Sequence, residues 1–461
     1  TNDNDGCDSN CQFAIPPSPG PGQPIENIYY VDKDSIGGSC DDGNIGIESE
    51  PWCTVQHAMA TLQAGDAVVV REGVYDNAPP SPACTISYTA SPPALYPVND
   101  GTETNPILIM GYPGEFPVFT FSDPADYGCR VIGSSSNSYI IIQGFYVDYS
   151  RLAVTNSDNI IVRGNIVNGR NLNFDQNAGG IFFQNVVYSL VQSNEVFGVV
   201  GSSTNEGCIQ VFDRDPSDSS WIGTSSNVYE NNYLHDCDDY GIYLKQSPYD
   251  DVIRRNWVEN INNRGINVGG QLDSENIYIY ENIVIGGSPG IVPYTSNGQT
   301  DSTFIYNNLV IGSANGIVAG ATVYDTQLWN NIVMDSGSNA LSYADDSPIF
   351  SYSDYNLFYN YNNFARHDSV VDSATLGDWQ TNHNLDLNSI EAQPIFSDLE
   401  YHLDVISPGK VAGRYGEDLG AYPRGGISEN DYTLIGAGDL KIPDEPGTCQ
   451  ITNAYWELRE S

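Results

Sequence analysis

From Ile28 onward the chain alternates short apolar runs with turn residues: IYYVD, then TVQHAMATL, then GDAVVVREGVY. In the second run Val55, Ala58, Met59 and Leu62 recur at helical spacing, which predicts an amphipathic helix over 54–62. The third run reads as a strand. Beyond it the text repeats. Aligning IIVRGNIV, SLVQSNEV, NVYENNYL, DVIRRNWV, IYIYENIV, TFIYNNLV and TQLWNNIV puts Asn165, Asn194, Asn232, Asn256, Asn282, Asn308 and Asn331 in one column, at spacings of 29, 38, 24, 26, 26 and 23 residues. A period in the twenties carrying two short strands per repeat predicts a solenoid. Each second strand opens on Gly and an apolar residue: GIFFQ at 180, GCIQV at 207, GIYLK at 241, GINVG at 265, GIVPY at 290 and GIVAG at 316. A coil therefore reads strand, Asn turn, strand, Gly turn. Its inward Ile, Val and Leu are buried by stacking coil on coil, and the Asn column reads as an amide ladder of the kind identical residues form when they pile up.

Composition narrows what such a solenoid does. The 461 residues hold 59 acidic against 17 basic side chains, a net charge of -42. Nucleic-acid affinity rests on basic contacts that release counterions, so DNA, RNA and anionic membrane surfaces are poor partners. No apolar run reaches the roughly 18 residues of a membrane span, so membrane insertion is not expected. No basic-then-apolar leader precedes the fold either, and Thr1 reads as a mature end. Nine cysteines in loop-like pairs, without a zinc spacing, point to an oxidising compartment and a secreted protein. Sequential pairing gives Cys7–Cys11, Cys40–Cys53, Cys84–Cys129 and Cys208–Cys237 and leaves Cys449; with a pairing between the chain ends, Cys7 or Cys11 is left over instead. Residues 1–27 form an acidic Pro/Gly-rich tail, 28–365 the coils, and 366–461 a C-terminal segment packing on them. In the tail Asp3, Asp5 and Asp8 present oxygens around a turn as calcium loops do, which makes calcium a candidate cofactor, with Asp238 the second place to look.

Basic residues are scarce enough to be informative. Lys245, Arg254, Arg255 and Arg264 fall within twenty residues, and none follows from Gly265 through Ala365. They either pair with Glu206, Glu230, Asp238 and Asp239 on neighbouring coils or form a site for an anionic or polyhydroxylated ligand. Two residues before each ladder Asn stand Arg163, Gln192, Glu230, Arg254, Tyr280, Tyr306 and Trp329, an outward column that becomes aromatic, with Tyr278 and Phe304 beside it. Rings in that position would bind sugars, contact another subunit, or be covered by residues 365–461. His235 reads as a turn histidine on a surface loop.

The helix followed by GDAVVVREGVY, the Asn-bearing coils and the closing PIFSDLEYHLDVISPGKVAG and DLGAY together resemble the secreted right-handed parallel β-helix proteins, the superfamily of polysaccharide lyases and polygalacturonase-like glycoside hydrolases. That resemblance, over roughly 28–440, implies an all-β solenoid with an N-terminal capping helix and an irregular C-terminal segment. Two of its chemistries can be laid on these residues. The lyase type uses a Lys base and an Arg on successive coils, with calcium on carboxylates; Lys245 matches, but Gly269 stands in register with it and Arg264 lies five residues earlier. The polygalacturonase type is similar to Asn205-Glu206-Gly207, the run from Cys237 to Lys245, and Asn263-Arg264-Gly265-Ile266-Asn267-Val268-Gly269, with Arg264 where that family has His. Glu206 and Asp239 on adjacent coils would stand about 5 Å apart at the backbone, close enough to share a proton and supply an acid for glycoside cleavage.

The expected catalytic set is therefore Glu206, Asp238, Asp239, Lys245 and Arg264, with Arg254, Tyr280, Tyr306 and Trp329 as substrate contacts. The leading expectation is a secreted enzyme that cleaves an extracellular polysaccharide, by hydrolysis or by elimination. The rival is a non-catalytic extracellular subunit or adhesin that self-assembles or binds glycans through its aromatic face.

Overall fold

The computed structural model describes residues 25–76, 92–121, 129–169, 179–200, 206–212, 224–245, 248–269, 274–294, 300–344, 350–368 and 370–423. The acidic tail, with Asp3, Asp5, Asp8, Cys7 and Cys11, lies outside them, as do Cys84 and Cys449. Contacts divide the chain into two compact units, the first holding 25–200 and 224–228 and the second 206–212 and 229–423.

In the first unit the strands Asn27–Val31, Asp66–Val70, Ile107–Gly111, Ile140–Gln143, Ile161–Arg163 and Leu190–Gln192 pair in parallel in chain order. The predicted helix forms over Val55–Thr61, with Thr54 as its N-cap accepting from the His57 N–H. Val55, Ala58, Met59 and Leu62 are all buried, so the apolar spacing read from the sequence is the face that packs. Cys40 and Cys53 are joined in a disulfide, as sequential pairing requires.

The second unit holds the repeating coils. The coils up to Ala319 have three strands where the sequence suggested two, as in Val252–Arg254, Trp257–Ile261 and Arg264–Val268, while in the last two coils the second and third are continuous as Ile332–Tyr343 and Leu357–His367. The extra one is the short run directly after the Asn turn, which the sequence text merges with the strand before it. Two registers of geometry produce the turns. The residue ahead of each ladder Asn is left-handed: Asn231, Arg255, Glu281, Asn307 and Asn330 have φ between 54° and 57°. The chain is thereby bent sharply, and the Asn amide that follows satisfies the backbone the bend would orphan. Asn256 Nδ2 donates to the Asn282 side-chain oxygen at 3.0 Å, and Asn282 and Asn308 repeat the contact along the column. The column runs one coil further than the repeat alignment, to Asn356, and ends at Asp386. Asp386 is fully buried and also accepts from Trp379 and Ser389, closing the ladder beneath the helix Leu376–His383.

The Gly column has a packing cause. A Cβ built on Gly241 would collide with Val258, and one on Gly265 with Val284. Those valines belong to the buried column that runs from Val258 through Val284, Val310 and Val333. Large residues on one strand thus require none at the start of the next.

Candidate functional site

The strands after the Gly turn, Gly207–Phe212, Tyr240–Lys245, Arg264–Val268 and Ile291–Pro293, run parallel on successive coils. Ile242, Leu244, Ile266 and Val268 fill the interior. Alternation turns Tyr243, Lys245 and Asn267 outward, while Tyr240 and Arg264 stand ahead of Gly241 and Gly265, which the pairing register skips. Tyr240 is the strand partner of Arg264, Gln210 and Asn267 are partners of Tyr243, and Phe212 is the partner of Lys245.

These residues form one continuous chain of contacts. The Tyr240 and Tyr243 rings lie 4.3 Å apart. Lys245 Nζ stands 5.3 Å from the centre of the Phe212 ring and 5.9 Å from that of Tyr243. The Arg264 guanidinium lies over the rings of Tyr240 and Tyr294, at 5.9 and 5.2 Å, and donates to the Asn267 side-chain oxygen at 2.6 Å. Electrostatics differ along the row. Lys245 is 7% exposed, and burial lowers its ammonium pKa to about 8. Burial, aided by the neighbouring Tyr240, pushes the Tyr243 phenol up, so it stays protonated. The result is an amine that can accept a proton beside a phenol that can give one.

The structure brings together part of the predicted set. Glu206 and Asp239 do lie on adjacent coils, and the Asp239 carboxylate accepts from the Glu206 backbone N–H at 3.3 Å. Glu206 is buried, and its carbonyl receives the Tyr240 N–H. Both sit at the end where the strands begin, with Arg264. Lys245 lies at the other end, five residues or roughly 16 Å along the strand from Tyr240. Asp238 is bonded by Asn262 at 3.0 Å, and among the described residues no group of three His, Cys, Asp or Glu is arranged to hold a metal ion.

Two members of the basic run are committed to charge pairs on other strands. Arg254 bonds Glu230 through Nε at 2.6 Å and the Tyr280 hydroxyl at 3.0 Å. Burial would lower its pKa, but the Glu230 carboxylate and Tyr280 hold it above the ordinary arginine value. Arg255 pairs with Glu281 at 2.7 Å, one coil on at the same turn. Lys245 and Arg264 are thereby separated from the other two and left on one face.

The aromatic column forms as the sequence suggests. Tyr280, Tyr306 and Trp329 stack at 4.8 and 4.5 Å, within 7° and 4° of parallel. Their faces are spent on one another. Arg254 lies 6.0 Å from the Tyr280 ring centre and Arg414 5.8 Å from that of Trp329, so each end of the stack has a guanidinium. What the column offers outward is ring edges and hydroxyls. The C-terminal segment reaches this column through Arg414 and also packs on another face, where Leu403, Leu419 and Ala421 meet Ile283, Leu309, Ile332 and Leu357.

Tyr240, Tyr243 and Asn267 were missed as site residues. The available signal was strand alternation: counting back by twos from Lys245 reaches Tyr243. Cys208 and Cys237 are joined as predicted, and Cys129 is disulfide-bonded.

With this geometry in hand, likeness to known proteins concerns the fold. The right handed beta helix region family matches residues 116–284. No curated protein matches the sequence. Among solved structures, a pectate lyase aligns over 87% of this chain and 97% of its own at 16% identity and a TM-score of 0.49. A rhamnogalacturonan lyase covers the same shares at 16% identity and 0.38. A lacto-N-biosidase from Eubacterium ramulus aligns over 75% of this chain and 67% of its own at 13% and 0.40. None of these carries an activity to this chain. The protein has the fold of the right-handed parallel β-helix proteins.

Proposed function

We propose that the chain is a secreted carbohydrate-active enzyme that cleaves an anionic, uronate-bearing polysaccharide by β-elimination, with Lys245 as the base. The observation that carries this is Lys245 itself: a buried amine with a pKa of about 8, bordered by the Phe212 and Tyr243 rings.

Each group has a part in the reaction. Arg264 starts at the Tyr240 end, but its side chain runs along the strand to Asn267, the register partner of Tyr243, and to the Tyr294 ring; held there, it neutralises the uronate carboxylate and acidifies the carbon beside it. Lys245 removes the proton from that carbon. The freed electron pair forms a carbon–carbon double bond and the bond to the leaving glycosidic oxygen breaks. The Tyr243 phenol returns a proton to that oxygen. Arg254, Tyr280, Tyr306 and Trp329 stand outside this row and enter no step. The calcium expectation rests on Asp3, Asp5 and Asp8, outside the described residues, and enters no step. Disulfides at Cys40–Cys53 and Cys208–Cys237 support secretion.

Hydrolysis by Glu206 and Asp239 is less well supported, because Glu206 is 1% exposed and one Asp239 oxygen is engaged at the Glu206 backbone. The assembling-subunit reading has one observation in its favour: Leu399, Val405 and Ile406 are 93%, 86% and 74% exposed. Solution mass separates it. Turnover of pectate, alginate and glucuronan, followed by the ultraviolet absorbance of the unsaturated product, tests the lyase.

A further inference from the structure

The strands after the Asn turn change character along the second unit. Their outward pairs are Ile283 and Ile285, Leu309 and Ile311, and Ile332 and Met334 on coils covered by the C-terminal segment. The two preceding coils carry Tyr233 and His235, and Trp257 and Glu259, in the same register. The apolar cover ends at Trp257, whose ring meets Tyr401 at 5.7 Å. Beyond that edge lies a half-buried patch whose polar groups are already oriented. Glu259 accepts from the Tyr233 hydroxyl at 2.5 Å and from the Trp257 indole N–H at 3.1 Å. The Tyr233 ring stacks on His235 at 4.4 Å, and His235 Nδ1 meets Asp236 at 2.7 Å. Burial, and then the Glu259 charge, push the Tyr401 phenol up, which places that carboxylate among three aromatic residues.

We infer that Tyr233, His235, Trp257 and Glu259, walled by Tyr401, form a second carbohydrate-binding site, separate from the Lys245 row and selective for neutral sugars. A carboxylate has about four lone-pair positions, and the two neutral donors use two of Glu259's, leaving acceptors for sugar hydroxyls. Rings beside fixed acceptors suit a molecule with apolar C–H faces and a hydroxyl rim. Charge sets the selectivity: among the described residues Glu259 is bonded by Tyr233 and Trp257, both neutral, and Asp236 lies alongside, so a uronate would meet repulsion. The site does not depend on the lyase activity proposed for Lys245.

Calorimetric titration of the full chain with xylohexaose, cellohexaose and mannohexaose tests this, with hexagalacturonate and hexalysine as charged controls. At least one neutral hexasaccharide should bind, and Trp257→Ala should weaken it about tenfold or more. Glu259→Gln and Tyr233→Phe, which preserve the packing, should each weaken it measurably, while Lys245→Ala should bind as the parent does. The inference is overturned if no neutral hexasaccharide binds, if binding survives Trp257→Ala and Glu259→Gln unchanged, or if hexalysine is the ligand these variants lose.

Discussion

The proposed lyase reading concentrates the chemistry in one side chain, Lys245, whose scarcity made it legible, since the chain has four lysines in all. The sequence could not tell it from Arg254 and Arg255, because charge pairing depends on which turn or strand face each residue occupies. His235 was misread for a related reason: it lies in the strand Tyr233–His235, two residues from a stacked tyrosine, and not in a loop. Replacing Lys245 by Ala should lower kcat/KM by about 10² to 10⁴, and Lys245→Arg should do the same, because a guanidinium stays protonated. Tyr243→Phe should lower kcat by about 10² if the phenol protonates the leaving oxygen. In the parent, kcat/KM should rise with pH through about 8 and then level as the neutral amine accumulates. The sign for stability follows from the same shift. The folded value lies below the ordinary lysine value of 10.5, so between about 8 and 10.5 the unfolded chain binds more protons. Lys245 therefore burdens folding fully below about pH 8, and the burden lifts as pH rises through that window, which calorimetric melting of the parent and Lys245→Met would show as a shrinking difference.

At the scale of the element, the Asn turn was legible because its requirement is chemical and repeats at every coil. The third strand was not, because three to five residues between two turns carry too little alternation to separate from their neighbours. The Asn column could be read without knowing its end, since Asp386 differs in type and follows Asn356 by 30 residues. Asn282 is fully buried and its amide bonds Asn308, Ile253 and Tyr280. Asn282→Ala strands those acceptors and should cost about 1–3 kcal/mol, seen as a lowered denaturant midpoint. Asn262→Ala, which removes an exposed bond to Asp238, should change it by no more than about 0.5 kcal/mol. Gly265→Ala should cost about 1–3 kcal/mol by overpacking against Val284, with Val284→Ala in the same chain recovering part of the loss.

Across the whole molecule, the fold was written in the sequence as period, whereas the proposed function rests on a few departures from it. A net charge of -42 opposes an anionic polymer at long range. Binding of such a substrate should therefore tighten as salt rises from low ionic strength, until screening also weakens the contacts with Lys245 and Arg264. The measurement that bears most directly on the account is the ultraviolet spectrum of the products released from uronate polysaccharides by the parent and by Lys245→Ala. An absorbing, unsaturated chain end formed by the parent and lost in the variant is the predicted result. Cleavage that yields reducing ends without that absorbance, or equal absorbance from Lys245→Ala, would contradict it.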